Sequence, residues 1–283
     1  MKLCITSELL EKYENYLYEE EKSPATIQKY MRDLSKLSSF ADGREISKQL
    51  VIEYKQHLRD AGEYKTSSIN SFLVAANRFF EYMDCYELKV KTFKMQKETF
   101  VPETRELSKE EYKKLVRAAE QSGKIRISMI IQTICATGIR VSELPAITVQ
   151  AVKRGMATIR CKGKERQILI PRELQVRLLR YIRRQGIKRG IVFRTRGGKA
   201  VDRTSIWREM KKLCEEAHVN SDKVFPHNLR HLFARTFYGM YQDIVKLADM
   251  LGHSNIETTR IYLKESYSEH QKQLENMGLL VGV

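Results

Sequence analysis

Three separated segments in the second half of the chain contain residue types that can act on a phosphate group. The segments are residues 135–144, 226–231 and 251–262, and their candidate side chains are Arg140, His227, Arg230, His253 and Tyr262. An arginine can bind two phosphate oxygens at once, a histidine can exchange a proton near neutral pH, and a tyrosine hydroxyl can act as a nucleophile. Taken singly, each of these is an ordinary surface or packing residue, so only their combination indicates chemistry.

The second segment places several donors on one helix face. His227, Arg230 and His231 are separated by three and four residues, a spacing that brings side chains together on a helix. Two histidines four apart can also bind zinc, but no glutamate follows the first as in H-E-x-x-H, and no Cys or His pair completes a site. We therefore predict an anion-binding face without a metal, in which His231 is a buried, hydrogen-bonded histidine that supports the helix.

Helix boundary signals place the other two segments in turns. Gly138 is expected to end a helix, so Arg140 lies at a helix junction. The glycine in the L-G-H sequence at 251–253 ends another helix, which leaves its histidine in the turn and puts Tyr262 about two turns into the next helix.

The first part of the chain is predicted to be a helical domain. Apolar residues recur with helical spacing over residues 6–83, and Ser23 with Pro24 supplies an N-cap and a first-turn proline. This predicts about four helices in a domain at 1–88. Over residues 89–105 the apolar period disappears and lysines recur, which predicts an extended basic linker that can also follow phosphates.

The remainder is predicted to be a mixed domain at 106–283. A capping box formed by Ser108 and Glu111 begins its first helix. Two β-rich runs, 156–159 and 167–170, are separated by a basic turn and predict a β-hairpin. Helical patterns dominate the rest, so the predicted fold is mainly α with a small antiparallel β-sheet.

Length and charge limit the class of protein further. The chain has 283 residues, 51 Lys and Arg against 35 Asp and Glu, and a formal net charge of +16, which favours a polyanionic partner. No apolar signal core is seen at the N-terminus, and charged residues interrupt every apolar run before membrane-spanning length. We expect a cytoplasmic protein with no membrane association.

The three segments together resemble the tyrosine recombinase or integrase family, in particular its short, two-domain Xer-like members. The A-T-G-x-R-x-S-E-L pattern matches residues 136–144, and the H-x-L-R-H pattern matches 227–231. L-G-H matches 251–253, with a tyrosine nine residues later. The hairpin turn at 161–166 is similar to the family's G-K-G-x-K-E-R, with Cys161 for the first glycine and one residue fewer. Four ordered matches make a specific signal.

The resemblance implies DNA strand cleavage by a tyrosine, with a 3′-phosphotyrosyl link and a free 5′-hydroxyl. The implied catalytic residues are Arg140, Lys162, His227, Arg230, His253 and Tyr262. The arginines would bind the phosphate, His227 would accept the phenol proton, and His253 would hydrogen-bond the scissile phosphate. Lys162 would be the general acid, with Lys164 as the second candidate. Glu143 would orient His or Arg side chains around the site.

No cofactor is implied, because the phosphotyrosyl bond conserves the energy needed to rejoin the strands. The chain also has no Walker-type glycine loop and no acidic cluster spaced for magnesium. The implied partners are double-stranded DNA carrying a specific recombination site and a homotetramer assembled on two such sites. The first domain would be the core-binding domain. The C-terminal tail, 266–283, is expected to dock on a neighbouring protomer or on its own domain.

Two other functions fit part of the sequence. A non-catalytic DNA-binding regulator of the same fold fits the charge and the helices, but all six implied catalytic residues are present, which favours an enzyme. An RNA-binding protein has only the basic charge in its favour, because no RNA-binding aromatic box appears. The motifs do not distinguish integration, excision, inversion and resolution, and they do not identify the DNA site.

Overall fold

The structure of the protein is a computed structural model that describes residues 3–95, 106–161, 164–263 and 275–276. The chain divides into two compact units, Met1–Lys97 and Glu98–Val283. Each has its own hydrophobic core. Within the described part of the chain, every helix is too short or too polar to cross a bilayer.

The N-terminal unit is built from four helices and a 3₁₀ turn. They are α1 (Ser7–Glu19), α2 (Pro24–Ala41), α3 (Lys48–Asp60), α4 (Thr66–Tyr82) and the turn Tyr86–Leu88. Ser23 accepts a hydrogen bond from the amide of Thr26, so it caps α2 as its sequence predicts. The core is rich in aromatic rings, with Tyr13 packed edge-on against Phe79 at 5.2 Å between centroids.

Residues 89–93, predicted as the start of a linker, belong instead to the core of the N-terminal unit. The Asn77 side chain accepts from the amide of Val90 at 3.0 Å and donates to its carbonyl at 2.8 Å. Asn70 makes the same pair of bonds with Phe93, at 2.8 and 2.9 Å. Two side-chain amides thus replace the missing partner strand for an extended segment. Residues 96–105 lie outside the described residues.

The C-terminal unit contains eight helices and one two-stranded sheet within its described residues. The helices are α5 (Lys109–Gln121), α6 (Ile125–Thr137), α7 (Val149–Arg154), α8 (Arg172–Arg184), α9 (Arg203–Ala217), α10 (Pro226–Tyr241), α11 (Ile244–Leu251) and α12 (Ile256–Arg260). Single 3₁₀ turns cover Val141–Ala146, Ser221–Lys223 and Ile261–Leu263. The sheet pairs β1 (Met156–Cys161) with β2 (Lys164–Leu169) antiparallel, from Met156 opposite Leu169 to Cys161 opposite Lys164.

These elements position the site around the end of a buried helix. Helix α6 is apolar on almost every side and contacts α5, α8 and α10. It ends at Gly138, whose φ of +66° is the left-handed conformation that glycine adopts without strain. The predicted fold, mainly α with a small antiparallel sheet, is confirmed. One detail differs: α12 ends at Arg260, and Tyr262 lies in a 3₁₀ turn rather than inside the helix.

Candidate active site

Five of the six predicted catalytic residues are brought together, and the sixth, Lys162, lies outside the described residues. The ring of Tyr262 is at the centre and is only 6% exposed. Its centroid is 5.5 Å from the ring of His227 and 5.5 Å from that of His253, which is nearly parallel to it at 14°. The guanidinium carbon of Arg230 lies 5.9 Å from the same centroid. Residues 35 positions apart in sequence therefore form one polar cluster.

Arg230 connects the ends of two helices from the inside of the unit. It is 1% exposed, its Nη1 donates to the carbonyl of Gly138 at 2.6 Å, and its Nη2 donates to the carbonyl of Leu251 at 2.7 Å. These are terminal carbonyls of α6 and α11, which lack helical partners. Its Nε is buried and has no partner in the described structure. Burial lowers the pKa of the guanidinium, and the neighbouring Arg140 adds to this. Arg230 is thus fixed before any substrate enters.

The hydrogen bonds of His253 define its tautomer. Its Nε2 lies 2.9 Å from Nη2 of Arg230, which can only donate, so Nε2 accepts. The proton of the neutral ring is therefore on Nδ1, which donates to the Thr259 hydroxyl 2.8 Å away. Burial and the nearby Arg230 lower the pKa of His253 to about 4, so the ring is neutral at pH 7. In this arrangement His253 orients Arg230 and has no Nε2 proton to offer a phosphate.

Arg140 is held at the rim of the site by Glu143. Arg140 precedes the 3₁₀ turn Val141–Ala146, and Glu143 accepts from its backbone amide at 2.8 Å and from its Nη1 at 3.1 Å. The Arg140 side chain remains 40% exposed, whereas that of Glu143 is 7% exposed. Glu143 also accepts two bonds from Arg166 of β2. The carboxylate therefore orients Arg140, and Arg140 keeps further N–H groups toward solvent.

The two histidines of α10 have lowered pKa values and differ from each other in position. His227 is exposed at the helix start, where partial desolvation and the charges of Arg230 and Arg140 lower the pKa of its ring. His231 is half-buried, and desolvation with the neighbouring His227 lowers its pKa to about 4. The prediction of a buried, hydrogen-bonded His231 was wrong: in the described residues it makes ring contacts, 4.3 Å from Tyr262 and 4.8 Å from His227. Its spacing on α10 turns it into the site rather than into the core.

A cleft of about 720 Å³ opens beside these residues. Arg140, His227 and Arg230 line one part of it, and Arg203, Thr204 and Trp207 of α9 line another. The α9 residues are not predictable from the sequence, because an arginine and an exposed tryptophan on a helix have no distinctive spacing. The cleft is cationic and open, which suits an extended anionic chain. Among the described residues, no group of three or more His, Cys, Asp or Glu side chains is placed to hold a metal ion.

Arg166 is a further residue of the site that the motifs do not mark, although the period of its strand gives a signal. On β2 it shares a face with the buried Ile168 and with Ile170, which follows the strand. An arginine at an inward-facing position needs an internal charged partner, which the structure provides in Glu143.

Comparison with known proteins identifies the family of the chain. Residues 105–269 match the phage integrase family, and residues 10–84 match the phage integrase N-terminal SAM-like domain. The chain belongs to the phage integrase family, the tyrosine recombinases. This confirms the predicted class, a tyrosine-type site-specific DNA recombinase.

Individual relatives give the same result. Tyrosine recombinase XerA of Pyrococcus furiosus is 30% identical over 285 residues, which cover 98% of this chain and 96% of XerA. Tyrosine recombinase XerD of Halalkalibacterium halodurans is 31% identical over 261 residues, covering 84% of this chain and 86% of XerD. A lambda integrase tetramer bound to a Holliday junction has a TM-score of 0.72 at 16% identity, with 90% of this chain and 76% of the integrase chain covered. The last likeness shows a shared fold.

Proposed function

We propose that Tyr262 is the nucleophile of this recombinase. Its phenolic oxygen attacks a DNA phosphorus, the bond from phosphorus to the 5′-oxygen breaks, and a 3′-phosphotyrosyl link remains with a free 5′-hydroxyl. Rejoining reverses the step, with a 5′-hydroxyl as the attacking group. The observation that carries this proposal is the packing of the Tyr262 ring against His227 and His253 and beside the buried guanidinium of Arg230.

The two arginines would stabilise the charge that develops on the non-bridging phosphate oxygens. Arg230 has an unpartnered, buried Nε next to the cleft, and Arg140 has a partly exposed guanidinium at its rim. Both are oriented by the protein before substrate arrives, so little reorganisation is needed in the transition state. His253 would act on the phosphate indirectly, because its neutral ring accepts from Arg230 and holds that guanidinium in place.

His227 would take the proton from the Tyr262 hydroxyl. Desolvation and two cations keep its pKa below the ordinary value, so the ring is unprotonated at neutral pH and able to accept.

The leaving 5′-oxygen needs a proton, which we assign to Lys162, with Lys164 as the second candidate. The hairpin that carries both residues is tied to the site through the ion pair of Arg166 with Glu143. A DNA substrate with a 5′-bridging phosphorothiolate has a leaving group that needs little protonation. It should restore cleavage to Lys162→Ala but not to Arg230→Ala, whereas restoration of Lys164→Ala would move the assignment to Lys164.

The protein would work in the cytoplasm as a homotetramer on two double-stranded recombination sites. Residues 1–93 would bind the core of the site, 94–105 would connect along the phosphates, and 106–283 would carry out catalysis. The tail, 266–283, would dock on a neighbouring protomer. An apolar groove of about 390 Å³ between α5, α6 and α10, lined by Tyr112, Ala136 and Phe233 among others, supports this docking. The lambda integrase tetramer, which has the same fold, is bound to a Holliday junction.

The test is formation of a covalent adduct that survives SDS. Nicked duplexes selected from a randomised library by binding to the protein should yield the adduct with the wild-type chain. Tyr262→Phe should abolish it and leave binding intact, because only the nucleophilic oxygen is removed. Tyr18→Phe is the matched control, since this tyrosine of α1 is 77% exposed and should be dispensable. An adduct that persists in Tyr262→Phe would overturn the assignment, and binding without any adduct in the wild type would favour the regulator.

A further inference from the structure

Arg166, on the hairpin, forms a buried ion pair with Glu143 beside the proposed catalytic residues. Its guanidinium meets the Glu143 carboxylate with two parallel hydrogen bonds, Nη1 to Oε1 at 3.0 Å and Nη2 to Oε2 at 2.8 Å. This is the bidentate geometry that makes arginine–carboxylate pairs strong. Only 16% of the Arg166 side chain and 7% of the Glu143 side chain are exposed, so solvent screens the pair weakly.

Glu143 is a single negative charge that is shared by two positive ones, the guanidinium groups of Arg140 and Arg166. Arg166 takes both carboxylate oxygens, while the Arg140 side chain makes a single bond, from Nη1 to Oε1. Burial disfavours ionisation of Glu143, but hydrogen bonds from Arg166 and from the Arg140 amide outweigh it and keep the pKa of Glu143 below its usual value. The carboxylate is therefore ionised, and Arg166 supplies most of its neutralisation.

Removal of Arg166 would change what Glu143 does to Arg140. A buried carboxylate that loses its main partner seeks another one. The nearest guanidinium is that of Arg140, whose remaining N–H groups would turn inward to form the fork that Arg166 now forms. Both the lost charge and the inward turn would take positive charge away from the cleft.

Arg166 also contacts the turn that carries His253. A Cβ placed on Gly252 would lie 2.5 Å from Cδ, 2.8 Å from Nε and 2.7 Å from Nη1 of Arg166. Only a glycine allows this approach, and its φ of +65° requires a glycine-like conformation as well. Arg166 belongs to the hairpin and joins it to two other parts of the site. It contacts Glu143 in the segment after α6, and Gly252 at the end of α11.

We propose that Arg166 is a positioning residue that acts through Glu143: it neutralises this carboxylate, so that the Arg140 guanidinium faces the scissile phosphate instead of closing on Glu143. This inference rests on the proposed function, because it needs Arg140 to contact the phosphate.

The first test is Arg166→Met, which keeps an unbranched stem against Gly252 and removes the charge. The rate of adduct formation at saturating protein should fall about 10- to 100-fold, taking as a scale the loss seen when a group that holds a metal ligand in place is removed. The second step adds Glu143→Gln to Arg166→Met and should raise the rate again, because the neutral amide no longer draws Arg140 inward. A merely structural role would also be relieved by this change, since it removes an unpaired buried carboxylate, so the melting temperature of each variant is measured beside its rate. The inference expects the rate to fall in Arg166→Met, and to recover in the double variant, at a temperature where both are fully folded.

Arg160→Met is the matched control. Arg160 is on the same hairpin and is ion-paired with Glu165, but its side chain is 82% exposed. Its replacement should leave the rate at saturation unchanged. If the double variant is as slow as Arg166→Met or slower, the inference is overturned. If a thermal melt shows that Arg166→Met is already unfolded at the assay temperature, Arg166→Gln replaces it, alone and combined with Glu143→Gln, with the same two outcomes. An adduct that forms normally in Tyr262→Phe would instead refute the nucleophile assignment, so the two failures are distinguishable.

Discussion

The two units hold their buried charges in different ways. Among the described residues of the N-terminal unit, the buried charged residue is Asp33, which is ion-paired with Lys29 one helical turn earlier. Among the described residues of the C-terminal unit, the buried charged ones are Arg230 and Glu143. Arg230 binds a carbonyl 92 residues away, and Glu143 binds an arginine 23 residues away. The first unit is stabilised mainly by apolar contacts between its helices, whereas the second uses long-range polar contacts to build its site.

This difference predicts which property a substitution changes. A cavity in the N-terminal core should lower the free energy of unfolding of that unit. It should change strand cleavage only by weakening the binding of DNA. A substitution in the polar cluster of the C-terminal unit is expected to change the rate of strand cleavage, because in the proposed function those side chains face the reacting groups.

Phe79→Ala is expected to have the largest effect. Phe79 is fully buried and packs against Tyr13 and Phe80, so the cavity should cost about 3–5 kcal/mol in free energy of unfolding. Hydrogen exchange of the full chain in urea measures this loss in residues 3–95. Phe79→Leu, which fills most of the space, is the control and should cost much less. Equal loss of protection in residues 106–263 would show that the two units do not unfold independently.

Arg230→Lys is expected to slow adduct formation about 100- to 1000-fold, the effect of removing one preorganised donor to a transition-state oxyanion. An ammonium cannot span the carbonyls of Gly138 and Leu251 and His253 at once, although it keeps the charge. Single-turnover kinetics at saturating protein give the rate. Arg235→Lys on the same helix is the control, because a lysine there can keep the ion pair with Glu106. A rate within a few-fold of wild type in Arg230→Lys would refute a role for the guanidinium fork.

Acid should destabilise the C-terminal unit by a smaller amount. The pKa values of His231 and His253 are lowered to about 4 in the folded protein, and the unfolded chain titrates near the ordinary value of about 6.5. Between these values the unfolded state binds more protons, so the free energy of unfolding falls as pH drops from 6.5 to 4. The slope is at most about 1.4 kcal/mol per pH unit for each histidine.

Urea unfolding at several pH values, followed by hydrogen exchange in residues 106–263, measures this slope. The double variant His231→Gln, His253→Gln should have a flatter dependence, because neither site can then take up a proton. An unchanged slope in the double variant would place the titrating groups elsewhere.

Much of the fold could be predicted, because its signals are local. Ser23 caps α2, Ser108 and Glu111 form the capping box of α5, and β1 pairs with β2 as the two β-rich runs around a basic turn indicate. Each signal acts over a few residues and is therefore visible in the sequence. The attachment of residues 89–93 to Asn70 and Asn77 was not predictable, because a side-chain amide that replaces a strand leaves no periodic pattern.

For the site, the sequence alone determined which residue types are present and in what order, since the family motifs at 136–144, 227–231 and 251–262 are contiguous. Only the tertiary structure decided their partners. It turned His231 toward Tyr262, set the tautomer of His253 through Arg230 and Thr259, and placed Arg166 between Glu143 and Gly252. The physical reason is that hydrogen bonds and ion pairs between distant segments form only when the two groups are placed to within a few tenths of an ångström. The packing of the helices sets these positions, and no local pattern in the sequence encodes them.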